Sequence, residues 1–267
     1  MEKIKKIVSG RFTLFKVFLL YIRFLFTSKD NRILEYKNKY LGKRCFIIGL
    51  GPSLQIKDLE ALGNNKEYSF SVNRIYELYE KTSWRPDFYY ISDKTAATEE
   101  TRVNIEKMIQ NNESEVFYSR HSFSNMPEDA IPCRILDIYT PLHNTKSKIL
   151  KKLDKSCKFS MDASDYIHDG MSCVLAVIQL AYFMGFREIY LLGCDCGSKE
   201  GREYGEGLKR RDKNYYEKKD VDMLLEDYKS LADDIKKKKV DINIYNATRG
   251  GILEEFERVN IDELLKK

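Results

Sequence analysis

The chain has 267 residues, 43% of them hydrophobic and 33% charged, with a formal net charge of +5. This length suits one large α/β domain with appendages and does not require a second core. The composition excludes a disordered chain and a multispanning membrane protein, and so small an excess of positive charge gives no reason to expect a nucleic-acid partner.

The first element is an apolar run from Phe12 to Phe26, FTLFKVFLLYIRFLF. It carries Lys16 and Arg23 and falls short of the roughly 20 apolar residues that a membrane span needs. Lys3, Lys5, Lys6 and Arg11 precede it, and Lys16 and Arg23, seven residues apart, share nearly one helical face. The run therefore reads as an amphipathic helix lying in the plane of a membrane surface with a basic stripe. A signal peptide is disfavoured, because charge interrupts the apolar stretch and no small-residue cleavage site follows. The alternative is a helix packed on the domain or used in self-association, so a homo-oligomer stays open. Residues 1–40 are read as this helix and a polar segment, Ser28 to Lys43 being a linker or short helix, and residues 41–267 as the folded domain. The expected location is cytoplasmic, peripheral on the inner face of the cell membrane.

Arg44 to Leu54, RCFIIGLGPSL, reads as a buried strand at Phe46 to Gly49 emptying into a glycine-rich loop that opens a helix at Gln55 to Leu62. Glycines in such a loop let backbone approach a ligand, and the free N–H groups at a helix start attract an anion, usually a phosphate. Pro52-Ser53-Leu54 stands where a third glycine would complete the dinucleotide fingerprint, so a nucleotide bound in some other way is favoured over a redox dinucleotide. Strands are expected at Tyr68 to Asn73, Phe88 to Ser92 and Glu115 to Tyr118, with a helix at Thr98 to Gln110. Arg120 to Tyr166 reads as an irregular excursion. Met171 to Met184 is a helix apolar enough to be central and buried, and Ile189 to Gly193 is the strand after it. Ser198 to Tyr216 reads as a lid-like loop. A helix at Val221 to Lys239, a strand at Asp241 to Tyr245 and a closing helix at Leu253 to Leu265 complete the chain. Strands alternating with helices predict an α/β, Rossmann-like, mostly parallel sheet with helices on both faces, plus the N-terminal helix and the lid-like insertion.

Of the six cysteines, Cys45 and Cys173 sit in apolar runs, and Cys194-Asp195-Cys196 lacks zinc-ligand spacing. The set reads as reduced thiols with no disulfide and no metal site. In an open parallel sheet ligands bind beyond the carboxyl ends of the strands. The residues there are Gly49, Gly51, Pro52 and Ser53; Asn73 and Arg74; Ser92 and Asp93; Asp195; and Asn246, Thr248 and Arg249, with Gly170 at the mouth of the apolar helix.

The stretches Gly49 to Leu54, Val72-Asn73-Arg74, Gly185 to Asp195 (GFREIYLLGCD) and Ile244 to Gly251 (IYNATRGG) resemble two related families. One is the bacterial lipooligosaccharide sialyltransferases, the other the MptE-like proteins named for an archaeal pterin pyrophosphokinase. The first resemblance implies a metal-independent glycosyltransferase with no resident cofactor, which takes a sugar from a CMP-linked donor and passes it to a bacterial surface polysaccharide or lipid-linked acceptor. It places Gly49, Gly51, Pro52, Ser53 and Asn73 on the donor nucleotide, and more loosely Ser92 or Asp93. It implies a lid tyrosine on the leaving phosphate at Tyr204; Gly197 stands about where a first such tyrosine would be. The family's catalytic histidine precedes the long amphipathic helix, where this chain reads Asn214-Tyr-Tyr-Glu-Lys-Lys-Asp220. Transfer with inversion needs a proton acceptor. His168, beside Asp169, is the first candidate and Glu217 its rival, while His121 and His143 fall in the excursion. The second resemblance implies a pyrophosphokinase using ATP and Mg²⁺, with Asp93 and Asp195 as the carboxylates. A catalytically inactive scaffold for envelope assembly is the third reading.

Overall fold

The computed structural model describes residues 2–93, 98–120, 122, 123, 125–136, 158–197 and 218–266. Tyr204, Glu217, His121, His143 and the lid-like loop lie outside them. The strands are β1 (Arg44–Ile48), β2 (Tyr68–Val72), β3 (Phe88–Ile91), β4 (Glu115–Ser119), β5 (Ile131–Cys133), β6 (Glu188–Leu192), β7 (Asn243–Asn246) and β8 (Glu257–Arg258). All are parallel, in the order β5-β4-β3-β2-β1-β6-β7-β8. The helices are α1 (Glu2–Leu25), α2 (Ile56–Asn64), α3 (Glu99–Gln110), α4 (Cys173–Met184), α5 (Lys218–Lys238) and α6 (Ile261–Leu264). This is the Rossmann-like α/β architecture expected from the sequence.

The central strands are covered on both faces, which is why they read as apolar runs and not as alternations. Phe46, Tyr190 and Tyr245 are register partners on one face, stacked with centroids 5.0 and 5.1 Å apart. On the other face Phe70 and Phe88 meet at 4.5 Å and take Tyr40 and Phe186 against them. Helix α4 packs against β1, β2 and β3. Ser172 caps its start and Gly185, at φ 106°, ends it. A Cβ at Gly185 would stand 2.9 Å from the Leu41 nitrogen, so only glycine closes this helix without strain. The polar residue inside it, Gln179, is fully buried. Its amide oxygen accepts from the nitrogens of Ser160 and His168, and its amide nitrogen donates to the carbonyls of His168 and Leu175.

Of the segment read as a linker or short helix, the short helix is found, and it is part of the packed body: Asp30 caps a 3₁₀ turn at Asn31–Tyr36, Ile33 and Tyr36 are buried, and Tyr36 meets Phe117 edge-on at 5.1 Å. Two expectations are corrected. The excursion after Arg120 contains β5, whose Pro132 is tolerated because the strand is at the sheet edge, followed by an Ile135–Ile167 bridge. The closing helix is absent over most of its length. Arg258 donates to the carbonyls of Thr248, Gly250 and Leu253 while pairing with Glu254, which holds Glu257–Arg258 extended beside β7. Only Ile261–Leu264, capped by Asn260, turns helical. No disulfide joins the described cysteines. Burial pushes the thiols of Cys45, Cys133 and Cys194 upward, so they behave as inert small hydrophobes.

Replacing Gln179 by methionine keeps its volume but strands the main-chain groups of Ser160 and His168. A loss of more than about 2 kcal/mol in urea unfolding is expected; a change within error would show that the 158–170 segment is held by other contacts.

Candidate functional site

The strand order reverses between β1 and β6, and the crevice of such a sheet lies there, beyond the carboxyl ends. Beyond β1 the loop continues pairing, with Gly49 N donating to Leu192 O and Gly51 N to Gly193 O, both at 2.8 Å. A Cβ at Gly49 would stand 3.0 Å from the Gly193 carbonyl carbon, and one at Gly51 would stand 2.7 Å from both Gly193 O and Asp195 Cγ. These glycines admit the neighbouring β6 loop, where the sequence reading had them admit a ligand. Asp195, nearly buried, accepts from Ser53 Oγ at 2.8 Å and from Ser53 N at 3.4 Å. Its carbonyl accepts from Ile252 N at 2.9 Å, and Gly251, at φ 79°, lies against its backbone. The chain's own carboxylate occupies the donors of the first loop. Pro52 is exposed at the rim.

The residues after β7 also face inward. Asn246 donates to Leu253 O at 2.8 Å and accepts from Thr248 N at 3.0 Å. Thr248 Oγ1 accepts from Cys194 N at 3.1 Å and donates to Leu191 O at 3.3 Å. Both side chains frame the β6 and β7 loops and present no polar atom to an open crevice. Arg249 binds Asp58 and Asp262, each at 2.7 Å, which holds it charged and ties the start of α2 to α6.

The open polar ground lies on the other side, over β2 and β3. Asn73 follows β2 at φ 48°, a conformation asparagine tolerates better than most residues. Its carbonyl accepts the Tyr89 hydroxyl and its amide donates to Cys173 Sγ at 3.3 Å. Ser92 and Asp93 follow β3 and are half-buried. Burial, reinforced by the Asp169 carboxylate, pushes the Tyr90 hydroxyl upward, which places Asp169 at this same end. Asp169 accepts from Gly170 N at 3.1 Å, and Asp227 of α5 accepts from Met171 N at 2.8 Å. Asn73, Ser92, Asp93, Asp169 and Gly170 thus gather at the start of α4, a set of half-buried hydrogen-bonding groups suited to a polar ligand. Arg74 is turned aside into a pair with Glu77. A cavity of about 550 Å³ opens between Arg102 and Ile105 of α3 and Phe123, Asn125, Met126 and Pro127. Sequence reasoning left that segment irregular and so did not find it.

His168 is not at the helix mouth. Gln179 holds its main chain along the flank of α4, its ring meets Tyr166 edge-on at 5.1 Å, and it is buried. Burial, with Lys238 adding to it, pushes the imidazole down to about 4. A base so weak is poorly matched to proton transfer near neutrality. Among the described residues no three His, Cys, Asp or Glu side chains are placed to hold a metal ion. Asp93 and Asp195 end strands separated by β2 and β1, roughly 14 Å apart at about 4.8 Å per strand, so the two do not share an ion.

A sequence profile described as 6-hydroxymethylpterin diphosphokinase MptE-like matches residues 21–201, more than half of the chain, and the chain belongs to this MptE-like family. No curated protein matches in sequence. Among solved structures, the Maf glycosyltransferase from Magnetospirillum magneticum AMB-1 is similar at 18% identity and a TM-score of 0.49, over 86% of this chain and 37% of that one. The chain therefore spans little more than a third of that protein. The sialyltransferase CstII from Campylobacter jejuni, solved with cytidine-5′-monophosphate, is similar at 18% identity and a TM-score of 0.46, over 82% of this chain and 85% of that one. A CST-II structure with trisaccharide acceptor and CMP is similar at 19% identity and 0.43, over 81% and 86%. The likeness is one of fold.

Two outcomes follow from this geometry. Gly51→Ala should cost about 1–3 kcal/mol in denaturant unfolding through the clash with Asp195 and Gly193. Gly63→Ala, whose Cβ would approach nothing closer than the Trp84 ring at 3.5 Å, should be neutral or stabilising. Equal effects would mean that the first loop has room to spare. His168 offers a pH test. Its folded value of about 4 lies below the ordinary 6.5, so the unfolded chain takes up the proton first as pH falls. Stability should drop by about 3 kcal/mol between pH 6.5 and 4 on this account. His168→Gln should flatten that part of the profile, and an unchanged slope would show that the imidazole is not buried neutral.

Proposed function

We propose that this MptE-like chain is a glycosyltransferase that takes a sugar from a nucleotide-linked donor, the CMP-linked one that the sialyltransferase resemblance implies, and passes it to a bacterial surface polysaccharide or lipid-linked acceptor. The observation that supports the reading most is the half-buried polar set at the carboxyl ends of β2 and β3, beside the switch point of a fully parallel sheet. Asn73, Ser92 and Asp93 are the donor-binding groups in this reading, with Ser53 at the rim and Gly170 giving close approach at the start of α4. An amide that can donate and accept, a hydroxyl and a carboxylate suit the base and ribose of a nucleotide.

The transfer is direct. An acceptor hydroxyl oxygen bonds to the anomeric carbon, the bond from that carbon to the nucleotide phosphate oxygen breaks, and the nucleotide monophosphate leaves. We assign the acceptor's proton to Glu217, ahead of the weakly basic His168, and the leaving phosphate to Tyr204. Work on a membrane-borne acceptor accords with a peripheral place on the inner face of the cell membrane, and among the described residues no helix is long and apolar enough to cross a bilayer.

The family's description favours a second reading, transfer of a diphosphate from ATP with Mg²⁺. Asp93 and Asp195 do not fit as joint ligands of one ion, and Asp195 is engaged with Ser53. Calorimetry with CMP, UDP and ATP, each with and without Mg²⁺, separates the readings. CMP binding without Mg²⁺ is the expected result; ATP binding that requires Mg²⁺ selects the diphosphokinase; no binding of any nucleotide selects the scaffold. Asn73→Gly keeps the left-handed backbone and removes the amide, so it should weaken CMP binding by about 1–3 kcal/mol. Unaltered affinity would take Asn73 out of the site. Glu217→Gln should lower kcat by about 10² to 10⁴ with donor affinity kept.

A further inference from the structure

Helix α1 has a sheltered stripe and an open one. Thr13, Val17, Leu20 and Phe24 follow each other at helical spacing and are buried or half-buried. On the outward side Phe15, Phe18, Leu19, Leu25 and Phe26 are exposed, Phe26 to 85%. Arg11, Lys16 and Arg23 are exposed among or beside them, and no Asp or Glu occurs between Lys3 and Lys29. An aromatic face with cations and no anions is complementary to an anionic lipid surface. A second copy of the same helix would bring like charges together with no carboxylate to pair them.

The last turn of α1 is fastened to the body. Arg134 donates to Phe24 O at 3.0 Å and lies 4.3 Å over the Phe24 ring, and Tyr166 meets that ring edge-on. Arg120 donates to Ser28 O at 2.7 Å. Arg120 follows β4 and Arg134 follows β5, so both clamps stand at the carboxyl edge of the sheet, the edge at which the crevice opens.

We propose that the outward face of α1 docks on an anionic bilayer, and that the Arg134 and Arg120 clamps turn the carboxyl edge of the sheet toward that surface. Given the transferase reading above, the acceptor is then a lipid-borne glycan reached from the membrane side. The docking itself needs no nucleotide and stands apart from that reading.

Cosedimentation of the full chain with vesicles tests it. Binding is expected to vesicles containing phosphatidylglycerol, weak to pure phosphatidylcholine, and lost at high salt. The double change Lys16→Glu, Arg23→Glu should weaken binding by roughly tenfold or more, at about 1 kcal/mol per basic residue. Phe15→Ser with Phe18→Ser should weaken it on both vesicle types. CMP affinity of these variants should match the parent, which checks that the body is folded. A fluorophore on Glu99→Cys, at the carboxyl edge, should be quenched by a headgroup quencher, and one on Lys66→Cys, at the amino edge, should not. Equal binding by parent and variants, or a dimer that the Phe15 and Phe18 changes dissociate while vesicles bind nothing, overturns the docking. Equal quenching of the two labels overturns the orientation. Vesicle binding without CMP binding overturns the transferase reading alone.

Discussion

The arrangement of the crevice depends on one buried carboxylate. Asp195 lies beyond β6 where the strand order reverses, and a charge or polar acid so placed must be hydrogen-bonded to be tolerated. Ser53 supplies those bonds from the β1 loop. Gly51 and Gly251 let the backbones of the β1 and β7 loops close around it. Arg258, held charged first by Glu254, gains further from the Asp195 carboxylate. The β1 loop is thereby joined to Asp195 through its carboxylate and the β7 loop through its main chain, where Ile252 N donates to its carbonyl.

That junction divides the carboxyl edge by role. On the β6 and β7 side, Asn246, Thr248, Arg249 and Arg258 spend their polar atoms on carbonyls, nitrogens and carboxylates of the chain itself. On the β2 and β3 side, Asn73, Ser92, Asp93 and Asp169 keep part of their surface open. A ligand phosphate on the first loop would have to compete with Asp195 for the Ser53 donors. Over β2 and β3 the polar groups are half-exposed, which is why the nucleotide is assigned there.

Much of the fold was legible because buried parallel strands announce themselves as short apolar runs: FYYI at β3 and EIYLL at β6 permit few other readings. The errors share a cause. Residues 31–40 are polar on average, but Ile33, Tyr36 and Tyr40 are spaced to reach one sheet face, and sparse contacts of that kind give no periodic signal. Glu254 and Arg258 have the spacing of a helical ion pair, and only the carbonyls of a distant loop reveal that Arg258 is extended. That the residues of the site follow strand ends was legible, because the alternation of strands and helices places them there. Which way each side chain turns was not legible: Asn246-Ala247-Thr248 reads equally as a ligand loop or as the inward Asx-type turn that it forms.

The same limit applies to His168, and it bears on how the chemistry is apportioned. Two residues from Gly170 in sequence, it reads as sharing the mouth of α4; Gln179, three residues before Tyr182 on the far half of that helix, instead captures its main chain and draws the ring down the flank toward Lys238. Desolvation there removes the basicity that made a histidine attractive. The proton acceptor of a transferase built on this scaffold must keep contact with the carboxyl edge, where the described carboxylates include Asp93 and Asp169, with Asp195 already committed to Ser53. Asp169 accepts from Gly170 N, three residues ahead of the Ser172 cap of α4. A carboxylate whose basicity is raised toward neutrality needs apolar surroundings that disfavour its charged form.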